Sequence, residues 1–246
     1  MKNHFYIQAK LGSKRLPRKV LKKIQDKTIL EIILERLSFI KNKNEIFLLT
    51  GRKEGNIELI DESKRLGIEY FTGSENNVLD RFKQASNKFQ SETITRITAD
   101  CPLIDFEIIE KGLKIFNSEK FDILSNNKTK TFPHGLDFEI FKKSALDEAW
   151  KNVYNKVSDK NIFLSTFIPP TKYMLEEKKF IHYDLKNEEN KSSIRITLDY
   201  PEDFLVIKSI FDELYPQNHK FVLKDIIGYI NKNPKILEIN KKYVRS

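Results

Sequence analysis

The sequence predicts an α/β fold: a mostly parallel, twisted sheet flanked by helices. Short apolar runs typical of buried strands alternate with segments that carry apolar residues at a helical period. Several of these segments end at glycine or proline, which commonly interrupt secondary structure. The length of 246 residues and a hydrophobic content of 39% suit a single domain, residues 1–246, with a substantial core.

The first half of the chain supplies strands and helices in alternation. We expect strands at residues 5–9, 45–50, 68–71, 93–98 and 121–124. We expect helices at residues 28–40, 57–66, 78–89 and 106–116. Alternation of this kind favours parallel strand pairing with helices on both faces of the sheet.

The second half departs from this alternation. Extended structure is expected at residues 131–141, 180–185 and 194–198, and helices at residues 143–151, 156–167, 201–214 and 223–231. We interpret residues 126–200 as a smaller α+β excursion from the sheet. Residues 201–246 then close the domain with helices, the first of which has Pro201 in its first turn.

Composition and charge exclude several classes of protein. One cysteine, Cys101, permits neither an intramolecular disulfide nor a cysteine-rich metal site. No signal peptide is recognisable and no apolar stretch approaches the ~18 residues of a membrane span, so we expect a cytoplasmic protein without a membrane partner. The net charge of +9 could serve an anionic partner, but interleaved acidic residues favour solvated charged faces.

The exception is a basic loop that directly follows the first strand, at residues 10–19. Its five cations are Lys10, Lys14, Arg15, Arg18 and Lys19. Arginine offers a bidentate fork to phosphate oxygens, lysine offers a compact charge, and backbone N–H groups near Gly12 and Ser13 could complete a triphosphate cradle. The loop matches neither the Walker A nor the dinucleotide-binding glycine motif. An exposed, mobile basic loop explains these residues, taken alone, equally well.

Two aspartates end predicted strands and are followed closely by proline. Asp100 comes after strand 93–98, and Asp199 after the extended segment 194–198. Ligands of open α/β sheets bind beyond the carboxyl ends of strands, where two carboxylates could hold Mg²⁺ against phosphate oxygens. Each aspartate alone could instead be a turn or capping residue, a role that suits Asp105 better. Cys101 is expected to pack under the loop, since nothing marks an activating base.

A histidine and two carboxylates alternate with apolar residues between Pro133 and Glu139. His134, Asp137 and Glu139 could hydrogen-bond a polyhydroxylated or acidic substrate. An ordinary strand with a polar face explains the pattern equally well.

Five motifs, in this order, resemble those of a known enzyme family. They are residues 7–21, 73–82, 96–105, 135–139 and 197–203, within a region of roughly residues 5–212. Together they resemble the cytidylyltransferases that make CMP-activated sugars, of the spore coat polysaccharide biosynthesis type and related to the CMP-Kdo and acylneuraminate cytidylyltransferases.

The resemblance implies a nucleotidyltransferase with a glycosyltransferase-A-like sheet, usually a homodimer through the segment 126–200, which would also bind the acceptor. CMP would pass from CTP to a sugar acid or sugar phosphate, pyrophosphate would leave, and Mg²⁺ would be the cofactor. The implied catalytic residues are Arg15, Lys19 and Asp100, and the implied metal ligands are Asp100 and Asp199. The implied nucleotide-binding residues are Ala9, Lys10, Gly12, Ser13, Gly73, Ser74, Asp80 and Arg81. The implied acceptor-binding residues are His134, Gly135, Asp137 and Glu139.

Two loop positions depart from the family pattern, and three alternatives stay open. Lys10 stands where arginine is usual, and Arg18 stands where glycine is usual. Lysine lacks the bidentate fork of arginine, so one open alternative is a protein that binds nucleotide but does not catalyse its transfer. A metal-dependent NDP-sugar glycosyltransferase would need a D-x-D-like pair, but Cys101 and Pro102 follow Asp100. A basic nucleic-acid-binding protein would be expected to place aromatic residues among its cations, and residues 10–20 contain none.

Overall fold

A computed structural model describes residues 2–41, 45–157 and 159–244 of the protein. Its strands are β1 (Asn3–Gln8), β2 (Lys23–Ile24), β3 (Lys27–Thr28), β4 (Glu45–Thr50), β5 (Glu69–Thr72), β6 (Thr93–Thr98), β7 (Ile123–Ser125), β8 (Phe138–Lys142) and β9 (His182–Asp184). Its helices are α1 (Ile29–Ser38), α2 (Ile57–Arg65), α3 (Val78–Lys88), α4 (Phe106–Ser118), α5 (Lys143–Tyr154), α6 (Lys160–Ser165), α7 (Lys172–Glu176), α8 (Pro201–Leu214) and α9 (Leu223–Lys232).

Seven strands form one mixed sheet in the order β5-β4-β1-β6-β8-β7-β9, while β2 and β3 form a separate small hairpin. The neighbours β5-β4, β4-β1, β1-β6 and β7-β9 are parallel. Strand β8 runs antiparallel to both of its neighbours, β6 and β7. The predicted α/β fold with a mostly parallel sheet is therefore confirmed.

Strand β1 lies inside the sheet and is buried on both faces. Phe5 and Ile7 belong to a core cluster on one face, which includes residues of α1. Tyr6 belongs to the cluster on the other face, where its ring lies 5.9 Å from that of Phe47 and 5.7 Å from that of Phe82 on α3. Side chains of a strand alternate between its two faces, so this continuous apolar run requires helices on both sides.

Capping residues begin the helices that follow the strand ends. Asn77 accepts from the Asp80 N–H at the start of α3, and Asp105 accepts from the N–H groups of Glu107 and Ile108 at the start of α4. These bonds satisfy amide groups that a helix N-terminus leaves without an internal partner. The capping role expected for Asp105 is confirmed.

The segment 126–200 is less separate from the sheet than expected. It contributes β8, which lies between β6 and β7 within the sheet. The helix expected at 156–167 covers only Lys160–Ser165, with residue 158 outside the described residues. The short helix α7 was not anticipated.

The prediction of a strand at residues 194–198 is wrong. The segment makes one isolated bridge, between Arg195 and His134. Its Leu198 N–H donates to the Asp100 carbonyl over 2.7 Å, and the Thr197 hydroxyl donates to the same carbonyl over 3.0 Å. The segment is extended, but its pairing is limited to one bridge, in which the Ile196 N–H donates to the His134 carbonyl and the His134 N–H donates to the Ile194 carbonyl. Its end bonds to the Asp100 carbonyl, so no strand ladder forms.

Within the described residues, no helix combines the length and the apolar character needed to cross a membrane.

Candidate functional site

A cavity of about 270 Å³ opens where β1 and β6 end and the basic loop begins. Its lining includes six of the residues predicted for the site: Ala9, Lys10, Ser13, Lys19, Arg81 and Asp100. Strands β1 and β6 are parallel neighbours, so their carboxyl ends meet at one edge of the sheet. The structure thus brings the basic loop and the first predicted aspartate together.

Lys19 connects the two predicted metal ligands. Its ammonium donates to Asp199 Oδ1 over 2.9 Å and to the Leu198 carbonyl over 2.6 Å, and it lies 3.7 Å from Asp100 Oδ2. Arg15 Nη2 lies 2.8 Å from Asp199 Oδ2. Two carboxylates from distant parts of the chain therefore converge on one cationic position at the edge of the cavity.

Asp199 is held in its ionised form. Partial burial acts to raise the pKa of this carboxyl, but Lys19, Arg15 and Arg195 together outweigh burial and bring its pKa below the usual value. Nearby cations stabilise a carboxylate by direct attraction and hydrogen bonding. Asp199 is therefore negatively charged at neutral pH.

A buried ion pair fixes the backbone of Asp199. Arg195 Nε and Nη2 donate to the two carboxylate oxygens of Asp203 over 2.8 and 2.7 Å. Asp203 Oδ2 also accepts from the N–H groups of Asp199 and Tyr200, over 3.0 and 2.9 Å. Asn240 donates to Asp203 Oδ1 over 2.9 Å. Because Asp203 is fully buried, the position of Asp199 depends on this network.

The basic loop is folded against the body of the protein. The Leu11 N–H donates to Asn56 Oδ1 over 3.0 Å, and the Arg18 N–H donates to the Leu11 carbonyl over 3.2 Å. Lys10 Nζ lies 3.3 Å from Glu75, and Arg18 pairs with Glu58. The loop is an ordered part of the site, and several of its cations already face carboxylates of this chain.

Arg18 adopts a left-handed backbone conformation, with φ 57° and ψ 24°. Glycine reaches this region without steric cost. In other residues the Cβ comes too close to the following carbonyl oxygen. The conformation gives a physical reason why glycine would suit this position.

Replacing Arg18 with glycine is expected to stabilise the protein by about 0.5–1 kcal/mol, because the relief of about 1–2 kcal/mol of backbone strain exceeds the added freedom of the unfolded chain. The lost pair with Glu58 is exposed and contributes little. Urea unfolding measures the change. The matched control is Lys14→Gly in the same loop, where φ is negative and a slight loss of stability is expected. Equal urea midpoints of unfolding for the two variants would contradict the claim that the left-handed conformation strains the backbone at Arg18.

Of the residues predicted to bind nucleotide after β5, Arg81 and Ser74 contact each other. Arg81 Nη1 donates to the Ser74 carbonyl over 3.0 Å, and burial lowers the pKa of the Arg81 guanidinium to about 10. Gly73 lies against this side chain, since a Cβ there would be 3.0 Å from Arg81 Cγ. Asp80 faces elsewhere: its Oδ1 accepts from the Trp150 indole over 2.8 Å and joins α3 to α5.

A second cavity, of about 330 Å³, contains two of the residues predicted to bind the acceptor, His134 and Asp137, together with Lys130 and Arg195. The Arg195 guanidinium donates to His134 Nδ1 over 3.1 Å, which makes Nδ1 the acceptor and assigns the ring proton to Nε2. The segment that carries Arg195 and Asp199 thus contributes Arg195 to the second cavity, and its Asp199 pairs with Lys19 of the first.

Gly135 and Glu139 support the cavities instead of lining them. Gly135 has φ +119°, and a Cβ there would lie 2.5 Å from the backbone of Ile196. Glu139 is buried, pairs with Arg96, and accepts from Asn127 Nδ2 and Thr171 Oγ1, each over 3.2 Å. Gly12 is exposed, with space around its Cα.

Sequence reasoning missed Arg96 and Arg195 as functional residues. Arg96 lines the first cavity and Arg195 the second. A signal was present: Arg96 and Arg195 each stand four residues before a strand-end aspartate, in the repeated pattern Arg-Ile-Thr-x-Asp.

Cys101 is fully buried, as expected for a residue packed under the loop. Burial raises the pKa of its thiol well above the usual value, and the carboxylates of Asp100 and Asp137 add to this effect. We expect the native protein to react very slowly with a thiol reagent, since the thiolate is the reactive species. Urea-unfolded protein, the control, should release one reactive thiol per chain; rapid reaction of the native protein would contradict this prediction.

The fold and the site together define a nucleotide-binding α/β enzyme, with cations and carboxylates at the strand ends. The family model of the cytidylyltransferases matches residues 5–238, and the chain belongs to that family. It is therefore a CTP-dependent nucleotidyltransferase, as the motifs predicted.

The chain is similar to three known proteins. The structure of a cytidylyltransferase from Leptospira borgpetersenii serovar Hardjo-bovis aligns with a TM-score of 0.84 at 31% identity, covering 96% of this chain and 97% of that one. Spore coat polysaccharide biosynthesis protein SpsF of Bacillus subtilis is 24% identical over 94% of both chains. The structure of CMP:2-keto-3-deoxy-manno-octonic acid synthetase complexed with CTP shares the fold, with a TM-score of 0.63, 12% identity, and coverage of 87% of this chain and 100% of that one.

Proposed function

We propose that this cytidylyltransferase moves CMP from CTP to a sugar acid or a related polar acceptor, releases pyrophosphate, and serves surface polysaccharide biosynthesis. The observation that carries the proposal is the convergence of Lys19, Asp100 and Asp199 beside the cavity at the strand ends. The polysaccharide role is supported by the similarity to the spore coat protein of B. subtilis.

The protein's own residues position the triphosphate and neutralise its charge. In this reaction an acceptor oxygen attacks the α-phosphorus of CTP in line, the bond from that phosphorus to the bridging oxygen breaks, and pyrophosphate leaves with the electron pair. Lys19 lines the cavity and Arg15 pairs with the same Asp199 carboxylate as Lys19, so both would bind the departing phosphates. Lys10 and Ser13 line the same cavity and would hold the triphosphate from the loop side.

Asp100 and Asp199 are the residues that would hold Mg²⁺. Their donor chemistry fits, because Mg²⁺ in nucleotide sites usually takes one or two carboxylates together with phosphate oxygens. The fit has geometric support, since both carboxylates lie within 4 Å of the Lys19 ammonium and so already surround one cationic position. Within the described residues, no group of three or more His, Cys, Asp and Glu side chains forms a metal site. Bound there, Mg²⁺ would neutralise charge on the phosphate oxygens.

The second cavity is the proposed acceptor site. Lys130 brings positive charge to it, Arg195 a guanidinium that is paired with Asp203, and Asp137 a carboxylate, while Asn126, Asn127 and His134 bring neutral hydrogen-bonding groups. A carboxylate flanked by hydroxyl groups matches this mixture, which favours a sugar acid. The pairing of loop cations with carboxylates of the same chain favours this enzyme role over nucleic-acid binding.

We also propose a cytoplasmic homodimer that forms through the segment 126–200. Ile162 and Ile181, in this segment, are 57% and 55% exposed. Large apolar side chains left on a surface often lie in protein interfaces. Sedimentation equilibrium tests this part, and a monomer at all concentrations would contradict it.

A pyrophosphate-release assay with each of the four ribonucleoside triphosphates tests the function. Each nucleotide is combined with Mg²⁺ and with a panel of sugar acids and sugar phosphates, and mass spectrometry identifies the CMP adduct. We expect release only with CTP and with one class of acceptor. Turnover of another nucleotide in preference to CTP, or a lack of turnover with every acceptor, would contradict the proposal.

A further inference from the structure

We propose that Phe167 is a stacking platform for the cytosine base of the bound nucleotide. Its side chain lines the cavity at the strand ends, although the residue belongs to the chain just after α6, far from that edge in sequence. The residue is 70% exposed, more than the other large exposed apolar residues among those described. The inference rests on CTP binding in this cavity, as proposed above, and assigns a role to a residue outside the phosphate site.

The backbone that carries Phe167 is fixed in place. Side chains that follow β5 donate to three successive carbonyls of this segment: Asn77 Nδ2 to Phe163 over 2.8 Å, Ser74 Oγ to Leu164 over 2.7 Å, and Asn76 Nδ2 to Ser165 over 3.0 Å. The Leu79 N–H donates to the Ile168 carbonyl over 3.0 Å. The aromatic ring is therefore presented from an ordered support, not from a free loop.

Packing beneath the segment adds to this support. Phe163 is buried, and its ring meets those of Trp150 and Tyr154 edge to face, with centroids 5.9 and 5.1 Å away. Trp150 in turn donates to Asp80 on α3. The segment is thus held against α3 and α5 by side chains on its inner face, while Phe167 remains at the cavity.

The kinds of side chain that line the cavity indicate where the base lies. Lys10, Ser13 and Lys19 provide groups that suit a triphosphate, and Asp100 provides the carboxylate that would hold its Mg²⁺. Phe167 is the one aromatic side chain in the described part of the cavity lining, and Val78 is an apolar neighbour in that lining. With the phosphates held by the loop, the base is the remaining part of the nucleotide with a flat face to meet a ring.

Stacking raises affinity without discriminating strongly between bases, because every base has a π face. Phe167 would therefore strengthen binding of the whole nucleotide but not of its phosphate chain. This separates a stacking role from a general effect on the site.

Isothermal titration of Phe167→Ala with CTP and with inorganic tripolyphosphate, both with Mg²⁺, tests the inference. We expect the Kd for CTP to rise about tenfold, which lies within the usual effect of losing one base–aromatic stack. The Kd for tripolyphosphate should stay the same. Phe167→Trp should retain CTP binding. Leu205→Ala is the matched control, since Leu205 is 52% exposed on α8 and lies outside both the cavity lining and the segment 126–200.

Two outcomes would overturn the inference, and a third would overturn the proposed function instead. An unchanged Kd for CTP in Phe167→Ala would exclude stacking, and an accompanying change in sedimentation would identify Phe167 as an interface residue instead. An equal loss for CTP and tripolyphosphate would show a general disturbance of the site. If the unaltered protein binds another nucleotide but not CTP, the proposed function fails, and the same variants tested with that nucleotide still decide whether Phe167 stacks on a base.

Discussion

Asp100→Asn is expected to lower kcat/KM for CTP by on the order of 10³-fold while the protein stays folded. The change removes one of the two carboxylates that converge on Lys19 and leaves a neutral amide of the same size. The fold should persist because the structural bonds of this residue are made by its backbone carbonyl, which accepts from the Leu198 N–H and the Thr197 hydroxyl. Initial rates of pyrophosphate release measure kcat/KM, and a urea unfolding curve shows whether the protein stays folded.

Asp61→Asn is the matched control for this variant. Asp61 is an exposed carboxylate on α2, paired with Lys64 over 3.0 Å and distant from the cavity lining. The same loss of one negative charge there should leave the rate unchanged, because exposed pairs contribute little. Full activity of Asp100→Asn would refute the assignment of this carboxylate to the reaction, and an unfolded variant would show that its side chain is structural.

Asp203→Ala is expected to destabilise the protein by about 3–5 kcal/mol, the usual cost of leaving one member of a buried ion pair without its partner. Arg195 is nearly fully buried and would lose both of its carboxylate bonds. The N–H groups of Asp199 and Tyr200 would lose their acceptor as well. The free energy of unfolding in urea measures the change.

The control for this prediction lies on the same helix. Asp212 on α8 is paired with Lys208, and both side chains are exposed, so Asp212→Ala should change stability by less than about 1 kcal/mol. Similar losses for the two variants would contradict the importance of the buried pair. A surviving fraction of folded Asp203→Ala should also bind CTP more weakly with Mg²⁺, because Asp199 would no longer be held in position.

The parts of the site that depend on local order were predictable from the sequence. The apolar run before residue 10 required a buried strand, and the parallel sheet then placed the basic loop beside Asp100. The role of Asp105 as a cap followed from its position directly before a helical segment. Strand period and helix caps are properties of short stretches, and once a parallel sheet is predicted, the carboxyl ends of its strands must lie at one edge.

Other parts could not be predicted because they depend on which segments pack together. Asp80 looked like the other residues of its motif, but the indole of Trp150 draws its carboxylate towards α5. Residues 194–198 alternate like a strand, yet their hydrogen bonds are shared between one bridge to His134 and the Asp100 carbonyl. A local pattern reports which residues are buried, not which partner satisfies their backbone groups.

The sequence by itself determined the fold class, the basic loop at the first strand end, and the family through five ordered motifs. Only the tertiary structure decided that Lys19 joins Asp100 to Asp199, that Arg18 takes a left-handed conformation, and that Phe167 reaches the cavity. The physical reason is distance along the chain: Lys19 and Asp199 are 180 residues apart, and their contact exists only because packing of the whole domain brings their two segments together.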